Sequence, residues 1–559
     1  MCAIFGILGD NEKRVKSALE QMIHRGREFS DVKKVKGAVF GFNRLAIENI
    51  EINNQPLKKG NKLFVFNGEI YNYKELIRKF NLPAKTEIEV IAHLWDKMGV
   101  DFVKCLDGMF AIAIFDKKLY LFRDFFGKKP LYFTKNAFSS EIGPLLEKRE
   151  LNKKALSEYF AYNSSLAPNT IYKGVYKLPA GCYFDGEIKR WGDIKREIKI
   201  FDKKEAVLGI KERLIKSIKK RVPRVEFGAL LSGGVDSSLI VGILSEFKKV
   251  DTFSIGYEGF ENYDERKYAK KVASYLGVKN FDVALSKREF FNSFEEVIEK
   301  MGEPIGDSSY FALFHLGRII NKKVVFSGEG SDELFLGYRR YREYLEFLES
   351  FVPNRKWMAK YMLRHYEDIK EWELFRRFFE GEEIFRGINE TFFQRQINRL
   401  IKRADDVNYK RFLRGWRSFD FSYFDLKVWV GEVLLMKVDK MLMAHTIEAR
   451  TPFLDRDLVE FVFSLDEEVR GSDKWIIKEI AKEYLPKEIV FRRKKGFALP
   501  FYEWLKEEGE LKRIVDINRK ARLFNEEYLK EIIKTGHKRY KQHIWNLYLF
   551  LVWYEKEFL

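Results

Sequence analysis

The stretch LLSGGVDSS, residues 230–238, decides the fold of the larger part of the chain. It follows an apolar run, 227–231, that is typical of a strand, and it opens a predicted helix over 236–247. Glycines let a backbone approach a phosphate group closely, and a helix N-terminus presents free N–H groups. The stretch therefore predicts a phosphate-binding loop. Because it lacks the Gly-Lys-Ser/Thr ending of a P-loop, transfer of a terminal phosphoryl group is disfavoured.

The sequence around this loop alternates between strand and helix patterns. Apolar strand-like runs follow at 251–255 and 324–326, and a helical pattern lies between them at 263–276. Such alternation predicts an α/β unit built on a parallel sheet. Beyond about residue 340 the pattern is mostly helical, so we predict one α/β domain over 205–559 with a largely helical C-terminal part.

The first part of the chain has a different sequence pattern, in which short β-rich runs are separated by turns that contain Gly, Asn and Asp. The predicted strands are 2–8, 38–45, 62–66, 109–115 and 118–122. Amphipathic helices are predicted at 15–23 and 87–97 from their three- and four-residue apolar spacings. A separate α+β domain with antiparallel sheets is therefore expected over 1–190.

Composition limits the class of protein. The 559 residues suit about two to four domains, and 46% hydrophobic residues exclude wholesale disorder. Net charge is +19, which attracts anions of any kind. Three cysteines make no disulfide framework or zinc pattern and predict a reducing, cytoplasmic location. The apolar run 547–554 is too short for a bilayer, and no signal-peptide pattern precedes the first strand, so neither a membrane partner nor export by that route is predicted.

Cys2 is the first candidate for chemistry. If Met1 is removed, this residue holds a thiol and an α-amine that can accept the thiol's proton near neutral pH. Three segments accompany it at predicted strand ends and turns: HRG at 24–26, NRL at 43–45 and NGEIYN at 67–72. Together they resemble the glutaminase domain of class II glutamine amidotransferases, which has an N-terminal-nucleophile hydrolase fold.

That resemblance covers about the first 180 residues and implies roles for individual side chains. Cys2 would attack the side-chain amide of glutamine, while Asn67 and the Gly68 N–H would stabilise the oxyanion. The glutamine-binding residues implied are Arg44, Leu45, Ile47, Asn67, Gly68, Glu69 and Glu87. Arg44 would pair with the α-carboxylate, and Glu69 with Glu87 would hold the α-ammonium. At position 87 the family has an Asp, so this chain departs from the pattern by one methylene.

The loop at 232–238 resembles the pyrophosphatase loop of enzymes that split ATP into AMP and pyrophosphate. A second strand-turn-helix motif, SGEGSDELF at 327–335, accompanies VDKM at 438–441 and EARTPFLD at 448–455. Together these motifs resemble the synthetase domain of glutamine-dependent asparagine synthetases, which extends the resemblance over nearly the whole chain.

The second resemblance implies an ATP site with Mg²⁺. Asp236 and Asp332 would hold the metal, because hard divalent ions prefer carboxylate oxygens. Glu329 would act on the acyl-adenylate, and Lys474 would stabilise the pyrophosphate leaving group. The nucleotide-binding residues implied are Leu231, Ser232, Gly233, Gly234, Asp236, Ser237, Ile255, Ser327, Gly328 and Lys474.

The sequence does not assign a definite role to three further features. Lys478, four residues after Lys474, is expected on the same helical face, with no definite role. Asp439 and Arg450 are equally well explained as a structural charge pair. A basic and aromatic stretch at 355–379 could stack nucleic-acid bases, but aromatics facing a core at helical spacing explain it without a ligand.

These motifs together predict that the protein synthesises asparagine from aspartate, with ammonia taken from glutamine. The reaction would pass through a β-aspartyl-AMP intermediate and release AMP and pyrophosphate. The substrates would be glutamine, aspartate and ATP, without a nucleic-acid partner, and the family's habit implies a homodimer. One alternative keeps both half-reactions but amidates a sugar acid or another carboxylate. A second alternative, from another functional class, is an RNA-modifying or RNA-binding protein that uses the same loop. A third alternative is a non-catalytic scaffold protein.

Overall fold

The computed structural model describes residues 2–48, 50–52, 54–349, 370–492 and 499–559. Most of the basic and aromatic stretch at 355–379 lies outside these residues. Its described end belongs to the helix Lys370–Glu380.

The N-terminal part contains two six-stranded sheets, and the strand pairs of both are antiparallel. The strands in chain order are β1 Ala3–Leu8, β2 Phe29–Val35, β3 Ala38–Arg44, β4 Leu57–Lys59, β5 Lys62–Ile70, β6 Gly108–Asp116, β7 Lys118–Arg123, β8 Tyr132–Phe133, β9 Ala137–Ser139, β10 Tyr176–Lys177, β11 Cys182–Phe184 and β12 Ile188–Arg190. The first sheet has the order β10-β8-β9-β1-β3-β2, and the second has β12-β11-β7-β6-β5-β4.

The two sheets pack face to face, with helices on their outer faces. Apolar side chains of β1 and β3 meet those of β5, β6 and β7 in one buried cluster that also contains Cys2. The helix Glu87–Met98 covers the outer face of the second sheet, and the helix Glu12–Gln21 covers the first. Cys2 and the end of β5 therefore lie close together between layers, which explains why residues far apart in sequence meet.

The second part is built on a five-stranded sheet in which every pairing is parallel. Its strands are β13 Phe227–Leu230, β14 Asp251–Tyr257, β15 Lys279–Leu285, β16 Val324–Phe326 and β17 Glu448–Arg450, in the order β15-β14-β13-β16-β17. In a parallel sheet the carboxyl ends of the strands share one edge. The loops after β13 and β16, neighbours in the sheet, are therefore adjacent.

Helices fill the remainder of both parts. Those not yet given are Tyr73–Phe80, Lys153–Tyr162, Lys203–Lys220, Val235–Ser245, Arg266–Leu276, Lys287–Asn292, Phe294–Met301, Ser309–Gly317, Ser331–Leu334, Arg339–Glu349, Gln394–Leu400, Ser418–Asp425, Leu435–Met443, Arg456–Val462, Glu467–Arg470, Trp475–Ala481, Lys487–Val490, Phe501–Glu507, Leu511–Ala521, Glu526–Arg539 and Lys541–Phe558, with a π-helix at Leu426–Leu434. The predicted fold class, an antiparallel α+β domain followed by a parallel α/β domain with a helical end, is confirmed.

Some helices and strands begin or end at residues other than those predicted. The first helix begins at Glu12 rather than residue 15, because the Asn11 side chain accepts a hydrogen bond from the Arg14 N–H. The run 547–554 lies within the helix Lys541–Phe558 and packs in the core. Across the described ranges, no helix combines the length and apolarity needed to cross a membrane. The three cysteines are free; Cys2 and Cys182 are buried, whereas Cys105 is partly exposed.

Candidate active sites

Cys2 lies immediately before β1, with 9% of its surface exposed. Burial raises the pKa of its thiol, although the nearby N-terminal ammonium and a backbone hydrogen bond from Leu45 act in the opposite direction. A thiol in such surroundings needs a base to become a nucleophile at neutral pH. The backbone nitrogen of Cys2, which becomes the α-amine once Met1 is removed, is the closest such group in the covalent structure.

Asn67 and Gly68, the two residues predicted to stabilise the oxyanion, lie next to Cys2. The Asn67 Oδ1 accepts a hydrogen bond from the Cys2 backbone nitrogen at 3.0 Å, while the buried Asn67 Nδ2 has no partner among the described residues. Buried donors without partners are rare in folded proteins, so this group is available to a ligand. Gly68 has φ +144°, and a Cβ there would lie 1.9 Å from the Met109 carbonyl oxygen. Only glycine fits that position on β5.

A pocket opens beside Cys2. Apart from Asn67, every residue that the sequence assigned to glutamine lines it, namely Arg44, Leu45, Ile47, Gly68, Glu69 and Glu87, with Cys2 itself. The Arg44 guanidinium also donates to the carbonyl oxygens of Ile50 and Glu48, at 2.9 and 3.1 Å. These bonds fix the guanidinium against the loop that closes one side of the pocket.

Two buried carboxyl groups share the other side of the pocket. Burial raises the pKa of Glu69 to about 8, the Arg450 guanidinium lowers it, and the Glu448 carboxylate raises it further. Burial and then the charge of Glu69 raise the pKa of Glu87 well above its ordinary value, although the Ile70 N–H donates to its Oε1 at 2.7 Å. A cation bound between Glu69 and Glu87 would therefore be strongly favoured.

Arg450 connects this pocket to the second domain, a contact that the sequence did not predict. It lies on β17, and its guanidinium is 3.3 Å from Glu69 and 2.7 Å from Glu448. The pairing between Asp439 and Arg450 that the sequence left open is not formed, because Asp439 pairs with Arg25 of the first domain at 2.8 Å. Both residues thus serve contacts between the domains.

The second candidate site begins at the loop after β13. Gly233 has φ +70°, and a Cβ there would lie 2.6 Å from the Tyr268 side chain, so the tight turn requires glycine. Ser237 Oγ lies 3.1 Å from Ser232 Oγ, which closes the loop onto the first turn of the helix Val235–Ser245. The backbone of this loop and the helix N-terminus form the predicted anion-binding geometry.

The loop after β16 lies against the same helix start. A Cβ on Gly328 would contact the Ser237 backbone nitrogen at 3.3 Å, and the Ser327 N–H donates to the Arg450 carbonyl oxygen. The side chains of Leu231 and Ile255, by contrast, pack in buried clusters and are only 1% and 4% exposed. Their predicted contact with the nucleotide is therefore confined to small surface fractions and backbone.

Lys474 joins the two loops. Its Nζ lies 2.5 Å from Asp236 and 2.6 Å from Asp332, although these carboxylates are 96 residues apart in sequence (332 − 236). Burial alone would lower the pKa of Lys474, but the two carboxylates outweigh it and raise that pKa. The three residues that the sequence assigned to phosphate and metal are thus brought together.

Lys478 does not join this cluster. Lys474 lies outside the helix Trp475–Ala481, in a left-handed conformation with φ +57°, so the expectation of one shared helical face is wrong. Lys478 lies on that helix and pairs with Asp473 at 2.6 Å.

Glu329 lies on the loop after β16, and a further cation faces it. Lys437, on the helix Leu435–Met443, lies 2.8 Å from Asp307, 2.9 Å from Ser309 Oγ and 4.0 Å from Glu329. Sequence reasoning missed Lys437 and Asp307. Lys437 directly precedes the VDKM motif at 438–441, and this position is the signal by which it could have been found.

The donor set at Asp236 and Asp332 suits a divalent cation that also binds phosphate. Throughout the described part of the chain, no group of three or more His, Cys, Asp and Glu side chains has metal-binding geometry. Two carboxylates leave most coordination positions to phosphate oxygens and water, which is the usual arrangement for Mg²⁺ on a nucleotide. The residues present therefore fit the metal that the sequence predicted.

The two folds and their sites define a glutamine amidotransferase domain joined to a nucleotide-dependent synthetase domain, and comparison with known proteins agrees. Residues 1–195 match the family model of the glutamine amidotransferase domain, and residues 209–555 match the model described as asparagine synthase. The chain belongs to the asparagine synthase family. The sequence-based prediction of a ligase of this family with a glutamine amidotransferase domain is thereby confirmed.

Individual relatives extend over both domains. The chain is 27% identical to asparagine synthetase [glutamine-hydrolyzing] 1 of Bacillus subtilis, over 99% of this chain and 96% of that protein. It is 36% identical to a putative asparagine synthetase [glutamine-hydrolyzing] 2 of Methanocaldococcus jannaschii, over 60% of this chain and 76% of the relative. It is 27% identical to the chicken (Gallus gallus) asparagine synthetase [glutamine-hydrolyzing], over 89% of this chain and 84% of the relative.

Proposed function

We propose that the protein synthesises asparagine from aspartate, with ammonia released from glutamine and with conversion of ATP to AMP and pyrophosphate. The observation that carries this proposal is the meeting of Asp236, Asp332 and Lys474 beside Glu329, in a chain whose other domain holds Cys2 in a pocket lined by acids. One site has the chemistry for phosphate and the other has the chemistry for a zwitterionic amide. The names of the full-length relatives support the same pair of half-reactions.

In the first half-reaction, the Cys2 thiol attacks the amide carbon of glutamine after its proton passes to the α-amine. The Asn67 Nδ2 and the Gly68 N–H donate to the oxyanion, which strengthens their hydrogen bonds in the transition state. Arg44 binds the α-carboxylate, while Glu69 and Glu87 bind the α-ammonium. Ammonia leaves, and water releases glutamate from the thioester.

In the second half-reaction, the aspartate β-carboxylate attacks the α-phosphorus of ATP to give β-aspartyl-AMP and pyrophosphate. The loop of Ser232, Gly233 and Gly234 binds the phosphates, with the N-terminus of the helix Val235–Ser245 behind it. The Lys474 ammonium group stabilises the negative charge that develops on the leaving pyrophosphate. Asp236 and Asp332 would hold Mg²⁺, which neutralises phosphate charge when bound.

Ammonia then displaces AMP from the activated carboxyl group. Glu329 lies on the loop beside the phosphate site, where its carboxylate can accept the proton that the attacking nitrogen must lose. Since ammonia is protonated in bulk water, its transfer between the two sites must be enclosed. The buried contacts of Arg450 and Asp439 across the domains support an enclosed path.

The nucleotide products test this reaction. With ammonia as nitrogen source, the protein is expected to form AMP and pyrophosphate in amounts equal to asparagine, and no ADP. Aspartate, glucuronate and other candidate carboxylates are assayed in parallel. Formation of ADP and phosphate, or amidation of a sugar acid without amidation of aspartate, would contradict the proposal.

The pH dependence of glutamine binding provides a separate prediction. Because the pKa of Glu69 is raised to about 8, its carboxyl group is protonated below that pH and binds the ammonium of glutamine poorly. The KM for glutamine should therefore fall as pH rises from about 6.5 to about 8.5. Glutamate release measured over this range checks it. Glu69→Gln should show a high KM with no such trend, and a wild-type KM that rises with pH would refute the assignment.

Three further points belong to the proposal. The glutaminase domain is placed at 1–190 and the synthetase domain at 205–559. Three free cysteines support a cytoplasmic location. A homodimer is expected, and sedimentation of a monomer alone across the working concentration range would rule it out.

A further inference from the structure

A second buried cation lies beside Glu329, apart from the phosphate site. Lys437 projects from the helix Leu435–Met443 toward the start of the helix Ser309–Gly317. Its Nζ contacts Asp307 Oδ2 at 2.8 Å and Ser309 Oγ at 2.9 Å, and Glu329 Oε1 is 4.0 Å away. Three segments that are distant in sequence thus place one cation and two carboxylates around one point.

These charges are not needed for phosphate binding. Lys474 already lies between Asp236 and Asp332, and none of the contacts of Lys437 involves those carboxylates. The Lys437 side chain is 9% exposed and that of Asp307 is 14% exposed. A buried ion pair is often no more stabilising than apolar residues of the same size, so stability alone is a weak reason for it.

Both groups carry their charges in the folded protein. Although burial acts in the opposite direction, Lys437 and the hydrogen bonds of Ser309 lower the pKa of Asp307, and Asp307 with Glu329 raises the pKa of Lys437. A fixed positive group next to a fixed negative group is complementary to a zwitterion, whose carboxylate and ammonium lie on adjacent bonds.

We propose that Lys437 and Asp307 form the head-group site for the acceptor, which is a short α-amino dicarboxylic acid. Lys437 binds the α-carboxylate and Asp307 binds the α-ammonium, while the side-chain carboxyl group of the acceptor extends past Glu329 toward the phosphate loop. The inference rests on the proposed function and gives it a basis for choosing aspartate over other carboxylates.

The same geometry disfavours a sugar acid as the acceptor. A sugar acid has no ammonium group, so its binding would leave the buried Asp307 carboxylate facing hydroxyl groups alone.

Substitutions of the two residues test the inference, with ammonia as nitrogen source and pyrophosphate release as readout. Asp307→Asn and Lys437→Met should each raise the KM for aspartate by more than about tenfold. The KM for ATP and the release of glutamate from glutamine should stay within about twofold. Lys427→Met is the matched control, because Lys427 is also 9% exposed in an ion pair of 2.8 Å, with Asp193. It should leave the KM for aspartate unchanged.

Wild-type protein gives a second test that does not depend on the folding of a variant. Succinate has the carbon chain of aspartate without its ammonium. As a competitor it should bind at least about tenfold more weakly than aspartate. Equal binding of succinate, or an unchanged KM for aspartate in Asp307→Asn, overturns the head-group site and leaves the proposed function standing. Failure of wild-type protein to use aspartate at all overturns both.

Discussion

Replacing Cys2 by alanine is expected to lower glutamine-dependent synthesis by more than about 10³-fold and to leave ammonia-dependent synthesis within about twofold of wild type. In the proposed reaction the thiol is the nucleophile for the glutamine amide, and no other cysteine lines the pocket. The proposed synthetase site takes only ammonia from the glutamine reaction and lies on a different sheet. Removal of Met1 still leaves an α-amine in this variant, so the change affects the thiol only.

Cys182→Ala is the matched control for this experiment. Cys182 is also a buried cysteine of the first domain, in the same apolar cluster as Cys2, but it does not line the pocket. It should change neither activity. Loss of both activities in Cys2→Ala, with the fold intact by circular dichroism, would refute the division of labour between the two domains.

Replacing Lys474 by methionine is expected to lower synthesis by about 10³-fold or more with either nitrogen source. Methionine keeps the length of the side chain but removes the charge that lies between Asp236 and Asp332. Two buried carboxylates then face each other without a cation, and the leaving pyrophosphate loses its partner. Glutamate release from glutamine should continue, because it depends on the other domain.

Lys478→Met provides the control for that variant. Lys478 lies four residues further on and pairs with Asp473 rather than with the phosphate site. Its replacement should change the rate of synthesis by less than about twofold, since the ion pair is largely at the surface. Equal losses in the two variants would mean that Lys474 acts through the stability of this region rather than through its charge at the site.

Much of the candidate chemistry was predictable from sequence because local patterns determine it. The strand, glycine turn and helix start around 230–238 form a unit within nine residues, and the NG pair at 67–68 depends on one strand. In both cases the backbone conformation that the function needs requires glycine at a particular position. Such signals are readable without knowing the tertiary structure.

The contacts between the domains were not predictable in the same way. Arg450 reaches Glu69 across 381 residues of sequence (450 − 69), and Lys437 meets Asp307 across 130. Their partners depend on the packing of β17 and of the helix Leu435–Met443, which no local pattern specifies. The positions of Lys474 and Lys478 were also not predictable from a local pattern. A continuous helix would have aligned the two lysines, but the left-handed conformation of Lys474 separates them.

Transfer of label from amide-¹⁵N glutamine to asparagine tests the central claim most directly. The protein is incubated with labelled glutamine, MgATP and aspartate, and the products are analysed by mass spectrometry. Labelled asparagine together with equal amounts of AMP, pyrophosphate and glutamate is the expected result. Glutamate release with label recovered only as free ammonia, or in an amide other than asparagine, would contradict the account.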